Sequence, residues 1–550
     1  MSVRSGTGSR LNTSYVLKAG MSQAKGREAR KSNFGVAKLL ANLLKSSLGP
    51  RSLDKMMVQN MSSEKRMMRL GNVTITNDGA TILKDMEIIH PAAKMMREIA
   101  KTTDKEVGDG TTSVVILAGA LLEKAEELID KKVHPIKIAD GYKKAYDEAR
   151  KILKTIAIKV DPNNLNVLVK VARTSMNSKY ISDQSEFLAS KVAEAVRLIA
   201  EYNDDNVRVD IANVKVAIMP GRPISESQLV KGVILEKGIA HRDMPKKVKN
   251  AKIALLSVPL QVEKIKTNFT YKWNINSPDQ MDMFIDEENM ILKDMIDKIE
   301  AVGANVVFCH KEMDEISQDY LAKAGILAMR KIKWLDMERL AKATGGKIIP
   351  TLDGITSNDL GHAELVEERK LEDGHWVFVE GCKNPKSVAL FLRGATVRVL
   401  EELERSVHDA LYVVKDVMQQ PYIVLGAGAP EAELAFQLNK WAQTLTGKEQ
   451  LAAKAYAEAL EVIPFTLAEN AGMNTIDAII ELRAKHSKNH KTHGVNVQKR
   501  KIEDAKKIGV YEPLAVKEQV ITAATETATM LLRIDDVLAA SSKYTGKPTR

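Results

Sequence analysis

The sequence predicts a multidomain protein of the α and α/β classes, in which helical regions at both ends of the chain surround an inserted α/β region. A chain of 550 residues is too long for one hydrophobic core, because cores stop growing near ~250–300 residues and longer chains divide into domains. Apolar residues at helical spacing dominate the chain up to residue 160 and return over 430–541. Between these regions, over 229–383, short apolar strands alternate with helices, which is the pattern of an α/β domain.

The N-terminal region predicts helices separated by tight turns. Leucines recur on one face of 33–48, and Gly49-Pro50 ends that helix. The segment 73–83 reads as a β-branched strand that runs into a turn at Asn77-Asp78-Gly79. Further helices are predicted from His90-Pro91 onward, over 111–131 and over 135–158.

The middle region predicts strands that alternate with helices, and one of these helices has unusual apolar residues. Along 280–300 the apolar side chains lie only partly on one stripe. Such a helix either protrudes and packs against something outside its own domain, or packs loosely within the subunit. A long helix is then predicted from Val397 to Met418.

Composition and charge exclude several classes of protein. The net charge of +11 comes from 82 basic and 71 acidic residues that are interspersed, and no basic stripe carries the aromatic residues that stack on bases. We therefore expect a solvated surface, and nucleic acid is not expected as a partner. Only Cys309 and Cys382 are present, so we expect inert thiols in a reducing, cytoplasmic setting. The polar, basic residues 1–32 and the lack of a long apolar run predict neither a secretory signal nor a membrane span.

A basic stretch over 485–507 contains three closely spaced histidines, His486, His490 and His493. Their spacing is compatible with imidazoles that share a metal ion. Because no cysteine or carboxylate stands at a fixed spacing beside them, a solvated loop is the favoured interpretation.

The most specific local motif is a glycine-rich loop over 106–113 that leads directly into an apolar helix. Glycines allow close approach of the backbone, hydroxyl groups cap the first turn, and the helix N-terminus attracts phosphate. Asp109 within this loop would repel phosphate, so it is interpreted as a ligand of Mg²⁺ that bridges phosphate oxygens. The alternative is a capped turn, in which Asp109 and Thr111 only satisfy backbone donors.

Two other loops are weaker candidates for phosphate binding. One is Leu48-Gly49-Pro50, and the other is the segment 424–431 before a helix. The second lacks the third glycine of a dinucleotide fingerprint, and the chain contains no G-x-x-x-x-G-K-[ST] motif. A P-loop ATPase is therefore excluded by motif.

An ordered set of longer motifs resembles the group II chaperonins, the family of the archaeal thermosome and the eukaryotic cytosolic chaperonin. The motifs extend over the whole chain: LGPRSLDKMMV at 48–58, VTITNDGATIL at 73–83, HPAAKMM at 90–96, VGDGTTS at 107–113, LVEERK at 365–370, ALEVIPFTLAENAG at 459–472 and MLLRIDDVLAA at 530–540. The resemblance implies a chaperonin fold with a helical equatorial ATPase domain, a small intermediate hinge domain and an inserted α/β apical domain with a helical protrusion that serves as a lid. The corresponding ranges are 1–160 and 426–550 for the equatorial domain, 161–228 and 384–425 for the intermediate domain, and 229–383 for the apical domain, with the lid at 267–300.

The resemblance also implies roles for individual residues. Asp109 matches the Mg²⁺ ligand, and Asp78 and Asp409 match the carboxylates that position and activate the attacking water. By its spacing from the apolar stripe of the helix over 397–418, Asp409 is expected to point away from the core side. The remaining matches are to nucleotide-contacting positions: Leu48, Gly49, Pro50, Gly110, Thr111, Thr112, Ser113, the γ-phosphate-sensing Lys179, and Gly428 and Glu512 near the ribose.

The implied function is an ATP- and Mg²⁺-dependent chaperone subunit that encloses and folds non-native proteins. Its implied partners are other chaperonin subunits, identical or paralogous, in a stacked double ring, together with unfolded client proteins. Two departures from the family pattern leave an alternative open, a ring component that hydrolyses ATP poorly and acts in assembly or partner binding. They are Ala427, where the family has the middle glycine of three, and the long segment 59–72 at a hairpin tip.

Overall fold

The structure, a computed structural model, describes residues 21–58, 73–177, 184–203, 206–262, 278–372 and 374–540. Lys179, the segment 59–72 and the part of the predicted lid over 267–277 lie outside the described residues. The chain divides into two compact units. The first is formed by 1–157, 424–510 and 516–550, and the second by 158–423 and 511–515. The predicted division into three domains stays a prediction.

The described N-terminal region is mainly helical. Its elements are β1 (Met21–Lys25), α1 (Gly26–Lys45), β2 (Lys55–Val58), β3 (Val73–Thr76), α2 (Gly79–Asp85), α3 (Pro91–Val107), α4 (Thr111–Asp130) and α5 (Pro135–Ile156).

The middle of the chain mixes strands and helices. Its elements are β4 (Ile158–Lys159), α6 (Leu165–Met176), α7 (Ser185–Ile199), β5 (Glu201–Asn203), β6 (Asn206–Arg208), β7 (Val214–Pro220), β8 (Gln228–Val230), β9 (Val233–Leu235), β10 (Lys247–Leu256), α8 (Pro278–Ala301), β11 (Val306–Cys309), α9 (Glu315–Lys323), β12 (Leu327–Met329), α10 (Trp334–Thr344), β13 (Ile348–Ile349), β14 (Gly361–Leu371), β15 (Gly374–Glu380), β16 (Val388–Gly394) and α11 (Val397–Gln419).

The C-terminal region returns to helices, with short strands between them. Its elements are β17 (Tyr422–Leu425), α12 (Ala429–Ala442), α13 (Gly447–Leu460), α14 (Val462–Asn470), α15 (Thr475–Ser487), β18 (His493–Asn496), β19 (Lys501–Asp504), α16 (Ala505–Ile508), β20 (Tyr511–Pro513), α17 (Leu514–Arg533) and β21 (Asp536–Ala540).

The first unit is a helical assembly around α4. The first half of this helix is buried on nearly every side, and the helix contacts α1, α3 and α13. Tyr142 on α5 donates its hydroxyl to the carbonyl oxygen of Leu121 at 2.8 Å, and its ring meets that of Tyr456 edge to face at 5.5 Å between centroids. β1 and β21 pair antiparallel, so residues 21–25 and 536–540 form one small sheet.

The second unit is built on a mixed seven-stranded sheet with the strand order β12-β11-β10-β14-β15-β9, to which β13 is added beside β10. β10, β11 and β12 run parallel, whereas β14 pairs antiparallel with β10 and β15. Alternate side chains of the strands enter two separate cores, because successive residues of a strand face opposite sides of the sheet. Ile253 and Val306 lie in the core with α10, and Ala254 and Val307 lie in the core with α8 and α9.

The predicted class, helical ends around an α/β middle, is confirmed. The interpretation of 430–541 as helix throughout is wrong, because β18 and β19 form an antiparallel hairpin within it. Cys309 and Cys382, for which inert thiols are expected, are both buried and unbridged. Within the described ranges, no helix combines the length and the hydrophobicity that crossing a lipid bilayer requires.

Candidate functional site

The turn between α3 and α4 carries Asp109 between two glycines in the left-handed conformation. Gly108 ends α3 with φ 67°, and Gly110 precedes α4 with φ 80°. Glycine adopts positive φ without the steric penalty of other residues. A side chain on Gly110 would also approach Val520 Cγ2 at 2.7 Å. The turn therefore requires a glycine at position 110.

Asp78 joins this turn to a second loop. It caps α2 by accepting from Thr81 N through Oδ2 at 2.8 Å, and its Oδ1 accepts from the hydroxyl of Thr111 at 2.8 Å. Next to it, a Cβ on Gly79 would lie 2.9 Å from both N and Cα of Thr112. The two loops are thus in backbone contact, and Asp78 lies at the start of α4.

The start of α4 presents backbone donors beside two carboxylates. The first N–H groups of a helix have no partner within it. The N-cap residue Gly110 has no side chain that could accept from them. One oxygen of Asp109 accepts from Gly110 N at 2.6 Å. Thr111 and Thr112 are buried, and Ser113 is half-buried in the first turn. Helix donors favour an anion here, and the carboxylates of Asp78 and Asp109 favour a cation beside it.

The loop Leu48-Gly49-Pro50 lies in the same unit and is held by α14. Asn470 on that helix donates its amide to the carbonyl oxygens of Lys45 and Leu48, both at 2.8 Å. Gly49 has φ 85°, and a Cβ there would lie 2.5 Å from Leu467 Cδ2. Asn470 was not singled out in the sequence, although it belongs to one of the chaperonin-like motifs.

The loop before α12 is also in the first unit. Ala427 has φ 60° and Gly428 has φ 76°, so Ala427 adopts the left-handed conformation that the family glycine would adopt more readily. Its carbonyl oxygen accepts from Val495 N at 2.9 Å, and Gly426 N donates to Val510 O at 3.1 Å. The conformation of Ala427 is therefore maintained by its neighbours.

Asp409 and Glu512 belong to the second unit. Asp409 lies on α11 and is only 9% exposed. This helix is buried on more than one face, since Glu402, Ser406 and Asp416 are buried as well, and the expectation that Asp409 points away from the core side stays a prediction. Glu512 is half-buried on β20, next to Tyr511, whose N–H donates to Thr174 Oγ1 at 3.1 Å.

The three histidines form neither a shared metal site nor a fully solvated loop, the two alternatives that the sequence left open. His486 is buried, with Nδ1 2.6 Å from Glu433 Oε2 and Nε2 3.0 Å from the carbonyl oxygen of His493. Both ring nitrogens are thus occupied by protein oxygens. Among the described residues, His486, His490 and His493 do not form a metal-ligand group. The stretch is not a solvated loop at His486, because α15 and β18 bury this residue.

Comparison with known proteins gives concordant matches. The model of the TCP-1/cpn60 chaperonin family matches residues 40–542. Thermosome subunit alpha of Archaeoglobus fulgidus is 49% identical over 525 residues, which cover 96% of this chain and 94% of that protein. The thermosome subunit of Pyrococcus horikoshii is 47% identical over 526 residues, with the same coverage of 96% and 94%.

A solved structure also matches. It is the open-state monomer of a group II chaperonin from Methanococcoides burtonii, with a TM-score of 0.58 and 41% sequence identity. The match covers 78% of this chain and 100% of that one.

Proposed function

Because this chain belongs to the TCP-1/cpn60 chaperonin family, we propose that it is a group II chaperonin subunit that hydrolyses ATP with Mg²⁺ to fold non-native proteins. It is an ATP-dependent chaperone subunit of the kind that forms a double-ring chamber. Its neighbours in the ring are identical or paralogous subunits, since relatives occur as alpha and beta subunits of one organism.

The single observation that carries the ATPase proposal is the meeting of two loops at the start of α4. Phosphate oxygens are to be held by the first-turn donors of Thr111, Thr112 and Ser113, where the N-cap residue Gly110 supplies no side-chain cap. The residues fit a metal–phosphate pair, because Asp109 and Asp78 supply hard oxygen ligands beside the anion-binding donors. A bound Mg²⁺ would neutralise phosphate charge, with Asp109 as its protein ligand.

Hydrolysis of the γ-phosphate needs little covalent chemistry from the protein, because transfer depends on placing water in line and on stabilising charge. We assign the placement of water to Asp78 and Asp409. The orientation of Asp78 is supported by its hydrogen bonds to Thr81 N and Thr111 Oγ1. Leu48, Gly49 and Pro50 are proposed to contact the nucleotide as well. Lys179, Gly428 and Glu512 complete the set, the first as sensor of the γ-phosphate and the others near the ribose.

The test measures ATP hydrolysis by the purified full chain. Electron microscopy monitors ring assembly, and client refolding is measured in parallel. Asp409→Ala is expected to retain nucleotide binding and assembly but to lose nearly all hydrolysis. Glu401→Ala, which removes an exposed carboxylate from the same helix, is the matched control and should hydrolyse normally.

Undiminished turnover by Asp409→Ala would overturn the assignment of that residue. A wild-type ring that binds nucleotide and clients but hydrolyses ATP negligibly would instead support the alternative of an assembly component.

A further inference from the structure

A buried pair of ionisable side chains lies beside the loop 426–428. Glu433 is on α12 and His486 is on α15, and their side chains are 3% and 0% exposed. His486 Nδ1 lies 2.6 Å from Glu433 Oε2. Burying ionisable groups is costly unless they are paired and hydrogen-bonded. We therefore ask whether both side chains have all their hydrogen-bond partners.

The partners of the pair are complete. Gln437 Nε2 donates to Glu433 Oε1 at 2.5 Å. Burial alone would raise the pKa of Glu433, but the hydrogen bonds from His486 and Gln437 outweigh it and hold that pKa below its usual value. On the other side of the imidazole, the partner is the carbonyl oxygen of His493 at 3.0 Å. Since a carbonyl oxygen only accepts, Nε2 of His486 must be the donor.

This hydrogen bond anchors β18, and β18 in turn holds the loop. Val495 N, two residues after the anchored carbonyl, donates to Ala427 O at 2.9 Å. Gly494 lies so close that a Cβ there would be 2.6 Å from Ala427 O. The path therefore runs from Glu433 through His486 and His493 O to the backbone of Ala427.

The loop needs such support because of its backbone. Ala427 has φ 60° and Gly428 has φ 76°. A left-handed alanine is unfavourable, and such conformations persist where the surrounding structure fixes them. Glu433 lies on the helix that follows the loop, and β18 contacts the loop itself. The pair thus fixes both the loop and the helix that begins at it.

We infer that His486, oriented by Glu433, is a positioning residue that holds the loop 426–428 in the conformation that receives the nucleotide. The inference rests on the proposed function, in which Gly428 lies near the ribose. His486 touches neither substrate nor metal in this scheme. It acts through β18, so it should govern nucleotide affinity rather than the hydrolytic step.

The test is steady-state hydrolysis of Mg–ATP by the assembled full chain, with KM and kcat measured separately. His486→Ala should raise KM by roughly tenfold, because it removes the hydrogen bond from His486 Nε2 to His493 O. The same substitution should leave kcat within about twofold of the wild-type value. His486→Gln keeps an N–H donor for His493 O and should recover most of the affinity. It also provides a folded variant if alanine destabilises the ring.

Two further comparisons separate positioning from general stability. Arg483, which is also on α15, forms an ion pair with Glu461. Arg483→Ala removes this pair but keeps the hydrogen bonds that join His486, β18 and Ala427, so it should leave KM unchanged. Because Glu433 and His486 act in one path, the double variant Glu433→Ala/His486→Ala should raise KM no further than His486→Ala alone.

These measurements distinguish failure of the proposed function from failure of the inference about His486. If the wild-type ring does not bind Mg–ATP, the proposed function falls and the inference falls with it. If the wild type binds but the His486 variants keep the wild-type KM, or if Arg483→Ala raises KM equally, only the inference is overturned. Additive effects of the Glu433 and His486 substitutions would also overturn it.

Discussion

The hydroxyl of Thr111 donates a 2.8 Å hydrogen bond to Oδ1 of Asp78, although 33 positions separate the two residues. The other oxygen of Asp78 accepts from Thr81 N, so both carboxylate oxygens have defined donors. The same aspartate therefore ends one loop, starts α2 and contacts the first turn of α4. A carboxylate held at two points loses little freedom when it acts on a bound water.

Thr111→Val tests this relationship, since it keeps the shape of a buried side chain and removes the donor. Asp78 would stay at the N-cap of α2 but lose one orienting contact. We expect hydrolysis to fall by roughly tenfold, corresponding to one hydrogen bond of about 1–1.5 kcal/mol. Thr111→Ser retains the hydroxyl and should keep most of the activity. Equal rates for the valine and serine variants would show that the hydrogen bond has no part in hydrolysis.

Asp109→Ala should weaken nucleotide binding in Mg²⁺ and abolish the dependence of binding on Mg²⁺, because the metal would lose its protein ligand. The measurement is isothermal titration with ATP in Mg²⁺ and in EDTA. Asp109→Asn keeps an oxygen that accepts from Gly110 N, so it controls for the turn itself. If the alanine variant shows the same Mg²⁺ dependence as the wild type, Asp109 is not the ligand.

Gly79→Ala should destabilise the first unit, because the new Cβ would lie 2.9 Å from backbone atoms of Thr112 that cannot rotate away. Overpacking of this kind costs about 1–3 kcal/mol. Gly35→Ala is the matched control. Gly35 lies within α1 with nothing inside 4 Å of its added Cβ, so the change should stabilise by roughly 0.5–1 kcal/mol. Thermal unfolding of both variants measures the difference, and a neutral Gly79→Ala would contradict the close approach of the two loops.

Sequence patterns could predict the helices and the strand-rich middle because periodicity is a local property. Leucine spacing predicted α1, and alternation of strands and helices predicted the sheet around β10. The hydrogen bond between Asp78 and Thr111 was not predictable from spacing, since it depends on packing of α2 against α4.

The errors have the same origin. The burial of His486 depends on neighbours distant in sequence, whereas its own helix looks half-solvated. The hairpin of β18 and β19 was missed because its residues over 493–504 are mostly polar and lie between strong helical segments. The family resemblance supplied the assignment of site residues, which local pattern alone would have left ambiguous.

The two cysteines should be unreactive in the folded protein. Burial raises the pKa of Cys309 to about 11 and that of Cys382 to about 12. The thiolate is the reactive form, so at pH 8 both groups remain protonated, and reactivity should rise only as the pH approaches 11. Iodoacetamide labelling at pH 8, followed by mass spectrometry, should be slow in buffer and fast in denaturant. Rapid labelling of either cysteine in the native ring would contradict its burial.

The helix α8 divides into two halves that differ in burial. Towards its N-terminus Met283 and Met290 are 72% and 68% exposed, whereas Leu292, Ile296 and Ile299 near its end are buried. Exposed apolar area is unfavourable by ~25 cal/mol per Å². Covering the exposed half with a neighbouring subunit or a client would therefore lower the free energy of the protein.

We expect hydrogen exchange over 278–291 to slow when the ring is trapped with a transition-state analogue of ATP hydrolysis. The buried half over 292–301 is the internal control, because it should be protected in both states. A ligand shifts such an equilibrium only through differential contacts in the two states. Asp409→Ala should bind ATP without reaching the hydrolysed state, so we expect residues 278–291 of this variant to keep exchanging fast.

Replacing Met283 and Met290 by serine should weaken client encapsulation while leaving ATP hydrolysis measurable. Unchanged exchange over 278–291 on trapping, or full encapsulation after deletion of 267–291, would show that this segment is not a lid.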